Sequence, residues 1–129
     1  MKQGHRKDWP YVKRDGTVIW MRAATEVAWA MWLDKVGKLW QYEPTAFRLS
    51  SGRRYVPDFY VPEEQCWHEV KGRETDEAMA KYKEFAKEHA CILITVAEIE
   101  QRLGLRYREF LQLAKEMRDA YNRGKDSAA

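Results

Sequence analysis

Arg54-Tyr55-Val56-Pro57-Asp58-Phe59-Tyr60-Val61 is followed, across Pro62-Glu63-Glu64-Gln65, by Cys66-Trp67-His68-Glu69-Val70-Lys71-Gly72. Both runs are rich in β-branched and aromatic residues and are bounded by turn formers. They read as two neighbouring strands, 53–61 and 66–71, joined by a short connection and ended by Gly72. Side chains alternate along a strand, so Glu69 and Lys71 point one way and Val70 the other. Asp58 lies on the adjoining strand. Three charged groups therefore converge on a patch the size of a metal ion and a phosphate.

Upstream, Ser50-Ser51-Gly52 is turn chemistry. It makes residues 39–49 an irregular strand, interrupted at Pro44, that forms a hairpin with 53–61. Residues 23–36 form a helix that stops at Gly37, which suits the left-handed position after a helix. Val27, Ala28, Trp29, Ala30, Met31, Trp32, Leu33 and Val36 make it apolar nearly all round, so it is expected to be buried. Glu26 sits in its first turns. A carboxylate on a buried helix is costly unless it is paired or holds a metal. A favourable place near the positive end of the helix dipole is an equally good account of Glu26 taken alone. Before this helix, Asp15-Gly16 marks a turn and residues 17–20 a short strand. Residues 1–15 are polar and basic and read as an N-terminal arm.

Downstream, Asp76 can cap a helix reaching about His89, whose buried stripe is Met79, Tyr82, Phe85 and Ala86. Cys91-Ile92-Leu93-Ile94-Thr95 is a continuous apolar run, as in a buried strand. Thr95 and Glu98 have capping-box spacing, and the short helix they open stops at Gly104. Phe110, Leu111, Ala114, Met117 and Tyr121 give a last amphipathic helix from about Tyr107, with a frayed tail after Asn122. The order is helix, three strands, helix, strand, helix, then a C-terminal helix. The helix between the third and fourth strands implies a crossover, so the expected class is α/β, with a mixed central sheet flanked by helices. The arm is 1–15, the core 16–104, and the C-terminal helix and tail 105–129.

The chain of 129 residues is long enough for one domain with a real core. No apolar run reaches membrane-span length, and the basic N-terminus is not followed by the apolar stretch of a secretory signal. Cys66 and Cys91 are far apart in sequence. A cytoplasmic protein with free thiols is the simplest expectation. The net charge of +3 is small, but its distribution is uneven. Arg6, Lys7, Lys13, Arg14, Arg22, Arg53, Arg54, Lys71 and Arg73 gather in or near the half carrying the charged patch, whereas Glu74, Asp76, Glu77, Glu84 and Glu88 gather in the later helices. A basic face on a nearly balanced protein is the footprint of binding to a nucleic-acid backbone. For any single Lys or Arg, a solvated surface position is the plainer account.

Oxygen ligands such as Asp58, Glu69 and the Val70 carbonyl suit Mg²⁺ or Mn²⁺ and not Zn²⁺. A hard ion there would polarise a phosphate and acidify a bound water, and Lys71 would orient that water or meet charge developing on the phosphate. Glu26 could reach the first ion through water or help hold a second. The plainer account is a cross-strand ion pair. Four features coincide here, namely Pro57-Asp58, a gap of one turn, Glu69-Val70-Lys71, and a preceding buried helix with Glu26. Together they favour a site. Cys66, His68, His89 and Cys91 match no zinc spacing. Trp9, Trp20 and Trp40 could stack on bases, though packing is their usual fate. Lys81, or Lys83, could reach a phosphate from the helix after the active strand.

Glu26, Pro57-Asp58 and Glu69-Val70-Lys71 resemble the pattern of the PD-(D/E)XK nuclease superfamily. Over residues 21–95 the chain looks most like the phage endonuclease I type of Holliday junction resolvase, with its Glu-bearing helix, Tyr42-Glu43 strand, Tyr-x-Pro-Asp-Phe strand and Glu-x-Lys-Gly strand. The resemblance implies a restriction-endonuclease-like core and Mg²⁺- or Mn²⁺-dependent cleavage of DNA, with branched DNA as substrate. It implies Asp58 and Glu69 as ligands, Lys71 as the catalytic lysine and Glu26 as the helical carboxylate. DNA contacts are expected from Arg22, Arg53, Arg54, Arg73 and Lys81. Two cuts across a symmetric junction call for a homodimer. Nicking or sequence-specific endonucleases share the same core, and so could a non-catalytic DNA-binding module.

Overall fold

The structure, a computed structural model, describes residues 6–72 and 75–128. Its centre is a four-stranded sheet in the order β3 (Gln41–Tyr42), β6 (Phe59–Val61), β7 (Cys66–Val70), β8 (Cys91–Ile94). β3 and β7 run antiparallel to β6, and β8 runs parallel to β7, so the sheet is mixed. The parallel step is made by α2 (Asp76–Ala86), the crossover that the sequence order requires. Among the described residues there are three further α-helices, α1 (Ala24–Lys35), α3 (Val96–Leu103) and α4 (Tyr107–Ala128), and one 3-10 turn, Pro62–Glu64, between β6 and β7.

α1 is buried as its composition demands. Val27, Ala28, Ala30 and Leu33 are no more than 1% exposed, and Glu26 is buried with them. The helix ends into Gly37, whose φ is +76°. α1, α3 and α4 share one core with Phe59, Val61, Val70 and Ile94 of the sheet, centred on Met21, Phe59, Ile99 and Phe110. A second, smaller core joins Leu49, Tyr55 and Phe85 to Phe47, Trp67 and Tyr82. Phe59 and His68 are register partners on the first side, whereas Trp67 packs edge-on against Phe85 on the second. The sheet thus separates two layers, and Glu69, alternating with His68, belongs to the side of α2.

Several local readings change. Residues 39–49 are not one strand. β3 belongs to the main sheet, whereas β4 (Phe47–Arg48) pairs only with β5 (Arg54–Tyr55) in a separate hairpin. Glu43 has φ +45°, and this left-handed residue, followed by Pro44, turns the chain out of the sheet. Residues 53–61 divide into β5 and β6 at Val56-Pro57 for the same reason that proline cannot donate to a ladder. The arm read as extending to residue 15 contains a strand. β1 (Trp9–Val12) pairs with β2 (Val18–Met21) in a two-stranded ribbon, where Pro10 is tolerated because only one side is paired. Thr75, not Asp76, caps α2, its side chain accepting from the Ala78 N–H at 3.0 Å. Thr95 caps α3 as the spacing implies, at 3.1 Å from the Glu98 N–H. α4 continues to Ala128, past the fraying point expected after Asn122. No helix among the described residues is long and apolar enough to cross a membrane.

Candidate active site

The β6–β7 ladder pairs Val61 with Cys66 and Phe59 with His68 and stops there. Beyond it, side chains replace the backbone rungs. The Val70 N–H donates to Asp58 Oδ2 at 2.7 Å, and the Asp58 N–H donates to Glu69 Oε1 at 3.2 Å. Each carboxylate thus accepts a charge-assisted bond from the strand opposite. This reciprocal exchange draws Asp58 (1% exposed) and Glu69 (7%) together where two strand ends part. Lys71 follows directly, on the Glu69 face, held by its N–H to Ile94 O at 2.7 Å. Its side chain is exposed and makes no ion pair among the described residues.

Glu26 reaches this corner from the N-terminal turn of α1. Its Oε1 accepts from the Tyr42 hydroxyl at 2.7 Å and from the Arg22 N–H at 3.0 Å. Burial, and then Glu26, push the Tyr42 phenol far above its ordinary value, so it stays protonated and donates. The next residue, Glu43, donates its N–H to Asp58 O at 2.8 Å. Tyr42 and Glu43 therefore link the helical carboxylate to Asp58, which immediately precedes β6. The Tyr42-Glu43 pair was visible in sequence, but its bridging role required the fold.

Of the cations expected to meet DNA, Arg22 lies at the site, its Nε 3.0 Å from Glu43 Oε2. Arg53 is on the β4–β5 hairpin, 3.2 Å from Glu84, and Arg54 is exposed beside it. Lys81 is buried on the stripe Ala78, Lys81, Phe85 of α2, on the side of the sheet that carries Glu69. Arg73 lies outside the described residues. Trp40 is a core residue at 6% exposure, Trp9 is half-buried under Arg118, and Trp20 is edge-on to Tyr121.

Tyr55 opens the Tyr-x-Pro-Asp-Phe run, which by itself assigns it no role. It is 7% exposed, and burial followed by Glu69 and Asp58 hold its phenol protonated, yet its hydroxyl makes no well-formed hydrogen bond. A buried hydroxyl that meets its neighbour, here Glu69, only in poor geometry recovers little of the desolvation cost of about 1–3 kcal/mol. Tyr55→Phe is therefore expected to melt no lower than the parent in thermal denaturation. A drop of several degrees would mean that the hydroxyl is bonded in solution.

Glu64, Cys66 and His68 bring ligand atoms within 4.8 Å of one another on the opposite side of β7. The hydrogen bonds there speak against a metal. Trp29 Nε1–H donates to His68 Nδ1 at 3.0 Å, so the neutral ring carries its proton on Nε2, which meets Glu64 Oε1 at 2.6 Å. That nitrogen then has no lone pair to offer an ion. His89 is no partner either, being stacked on Phe85.

Burial lowers the His68 pKa below 6.5, against the opposing pull of Glu64. The unfolded chain therefore binds more protons than the folded one just below that pH. The stabilisation is complete above the unfolded value and is lost as pH falls through the folded one. Thermal midpoints should decline as pH falls below the ordinary histidine value of about 6.5, and His68→Gln should flatten that decline. An equally steep decline in the variant would place its origin elsewhere.

The donor set at the first corner consists of carboxylate oxygens, with the Val70 carbonyl beside them. Asp58 and Glu69 are held by backbone bonds at 2.7 and 3.2 Å, and such hard, preorganised donors fit Mg²⁺ or Mn²⁺. Fold and site together define an α/β protein with two buried carboxylates at the parted ends of two strands of a mixed sheet. No protein-family model matches the chain, and neither does any curated protein.

Proposed function

We propose that this protein is a metal-dependent DNA endonuclease of the PD-(D/E)XK type, acting on branched DNA such as four-way junctions. The observation that carries this reading is the reciprocal bonding of Asp58 and Glu69, with a lysine two strand positions beyond Glu69 on the same face. Two carboxylates are needed as strand-end caps only if nothing else ties the ladder. Here the preceding rung already does so, and the caps place two carboxylates side by side in a buried corner. Hard carboxylate oxygens gathered at such a corner are the donor set that a divalent ion takes.

In this reading Asp58, Glu69 and the Val70 carbonyl hold Mg²⁺ or Mn²⁺. When bound, the ion supplies Lewis-acid stabilisation of a phosphate and an acidified water. The chain's own residues do the rest. Lys71 presents its ammonium to the phosphate or the attacking water, where fixed positive charge opposes the charge that develops. Tyr42 keeps Glu26 oriented toward the pocket. Hydrolysis is in-line attack by water, with no covalent intermediate on the protein. Backbone contacts from Arg22, Arg53, Arg54 and Arg73 supply affinity, which is therefore strongly salt-dependent, whereas Lys81, expected beside them, is buried on α2 next to Glu77.

A restriction-endonuclease-like core is the fold reading that accompanies this activity. A homodimer, giving two sites for two strands, is the assembly that a symmetric junction demands. A monomeric mass in sedimentation with the junction bound would sink the dimer. The activity is tested by digesting linear, nicked, mismatched and four-way DNA with Mg²⁺, Mn²⁺ or chelator. Cleavage confined to four-way DNA and abolished by chelator is expected. Nicking of linear duplex, or cutting at one sequence, would move the protein to the nicking or sequence-specific branch. DNA binding with no cleavage under any metal would make it a non-catalytic module.

A further inference from the structure

We propose that Glu43 is a positioning residue that holds Arg22 and Lys7 as a clamp for a substrate phosphate at the rim of the acidic pocket, an inference that rests on the nuclease reading. Three observations converge on it. The Glu43 side chain is only 5% exposed, yet it is an anion. Its backbone is left-handed, φ +45°, a conformation that favours glycine and that a long side chain adopts at a cost. It meets two cations at once, Arg22 Nε at 3.0 Å on Oε2 and Lys7 Nζ at 3.0 Å on Oε1.

A turn alone does not account for this residue, because glycine would make the same turn with less strain. A surface ion pair does not account for it either. Such pairs contribute little and need no buried carboxylate. The arrangement is asymmetric: the anion is inside, whereas the side chains of Arg22 and Lys7 are 23% and 42% exposed. A buried carboxylate thus anchors two cations that face solvent. Burial works to raise the Glu43 pKa, but Arg22 and Lys7 outweigh it and bring it below the usual carboxylate range, so the anchor is ionised near neutrality.

The anchor is also registered to the pocket. Glu43 N–H bonds to Asp58 O at 2.8 Å, and Arg22 N–H bonds to Glu26 Oε1 at 3.0 Å. Glu43 and Arg22 are therefore tied by backbone bonds to the residues beside which a scissile phosphate would lie, and Lys7 is held there through Glu43. Glu43 engages the Arg22 fork through Nε at 3.0 Å and Nη2 at 3.4 Å, so what Arg22 and Lys7 offer a phosphate is two fixed positive charges side by side and not a second two-point contact. The group they would bind is a phosphate of the same strand, next to the one being cut.

The test compares the parent with Glu43→Gln, which keeps size and removes charge, and Glu43→Gly, which also relaxes the backbone. Affinity for junction DNA is measured by fluorescence anisotropy in chelator across a salt series, beside thermal midpoints and single-turnover cleavage. Both variants should bind about tenfold more weakly. The slope of log affinity against log salt should become shallower by about 0.9 for each phosphate that the protein no longer neutralises. Glu43→Gly should melt no lower than Glu43→Gln. Tighter binding with a steeper slope would show that Glu43 screens the cations, and overturns the proposal. So does an unchanged slope with a lowered midpoint, the mark of a purely structural residue. If the parent cleaves DNA and both variants behave like it, this inference alone fails. If the parent neither binds nor cuts DNA, the nuclease reading fails and the clamp with it.

Discussion

Asp58→Asn should lower single-turnover cleavage by about a thousandfold or more, the upper end of the effect of deleting one preorganised electrostatic group. The substitution is chosen for what it keeps. Asp58 Oδ2 accepts from the Val70 N–H, and an amide oxygen accepts equally well. The strand-end bond therefore survives, and with it the fold. What disappears is one negative charge from a buried corner. If Asp58 served only as a cap, Asp58→Asn would be silent in every assay. If it is a ligand, stabilisation by Mg²⁺ or Mn²⁺ disappears with it. A ligand present at a hundred times its dissociation constant stabilises the folded state by about 2.7 kcal/mol, which is easily read as a shift in melting. Affinity for DNA in chelator should hold or rise, since an anion near the phosphates has been removed. Cleavage within about tenfold of the parent would remove Asp58 from the mechanism.

Lys71→Ala should reduce cleavage by about a hundredfold to a thousandfold while changing DNA affinity less than tenfold. The separation of rate from binding is the point. Lys71 is exposed at the end of β7, and its place is fixed by its backbone bond to Ile94 and not by its side chain. Truncation should leave stability within about 0.5 kcal/mol, as for most surface changes. Removing one phosphate-facing cation among many moves affinity modestly, whereas removing a group that acts mainly in the transition state lowers the rate itself. Lys71→Arg should rescue poorly, because a planar fork does not reproduce a compact ammonium. Loss of affinity in proportion to loss of rate would make Lys71 a binding residue only.

The parts of the fold that could be read from the chain are those with long or repeated signals. α1 announces itself by an apolar run ending at Gly37, and the β7–α2–β8 crossover by a strand, an amphipathic helix and an apolar run in turn. The pairing of Asp58 with Glu69 was legible because a short connection forces β6 and β7 to be neighbours, and the two-residue period then leaves little choice of face. β3, β4 and β5 were misjudged because each is two residues long, too short to show a period. Trp9–Val12 was missed because proline in a basic segment argues against a strand, and only the one-sided ribbon admits it. Asp76 lost the capping position to Thr75 because both can cap and the backbone of Thr75 is the extended one.

Composition and spacing were enough to bring Asp58, Glu69 and Lys71 to neighbouring ends of adjoining strands, although Asp58 lies just before β6 and Lys71 just after β7, and to make Glu26 part of a buried helix, because alternation and helical pitch act over a few residues. They could not reveal that Tyr42 ties Glu26 to the pocket, that Glu43 bends left-handed around two cations, or that Trp29 sets the proton on His68. Those arrangements join residues far apart in the chain, and they form where packing of α1 against the sheet brings the groups within hydrogen-bond reach.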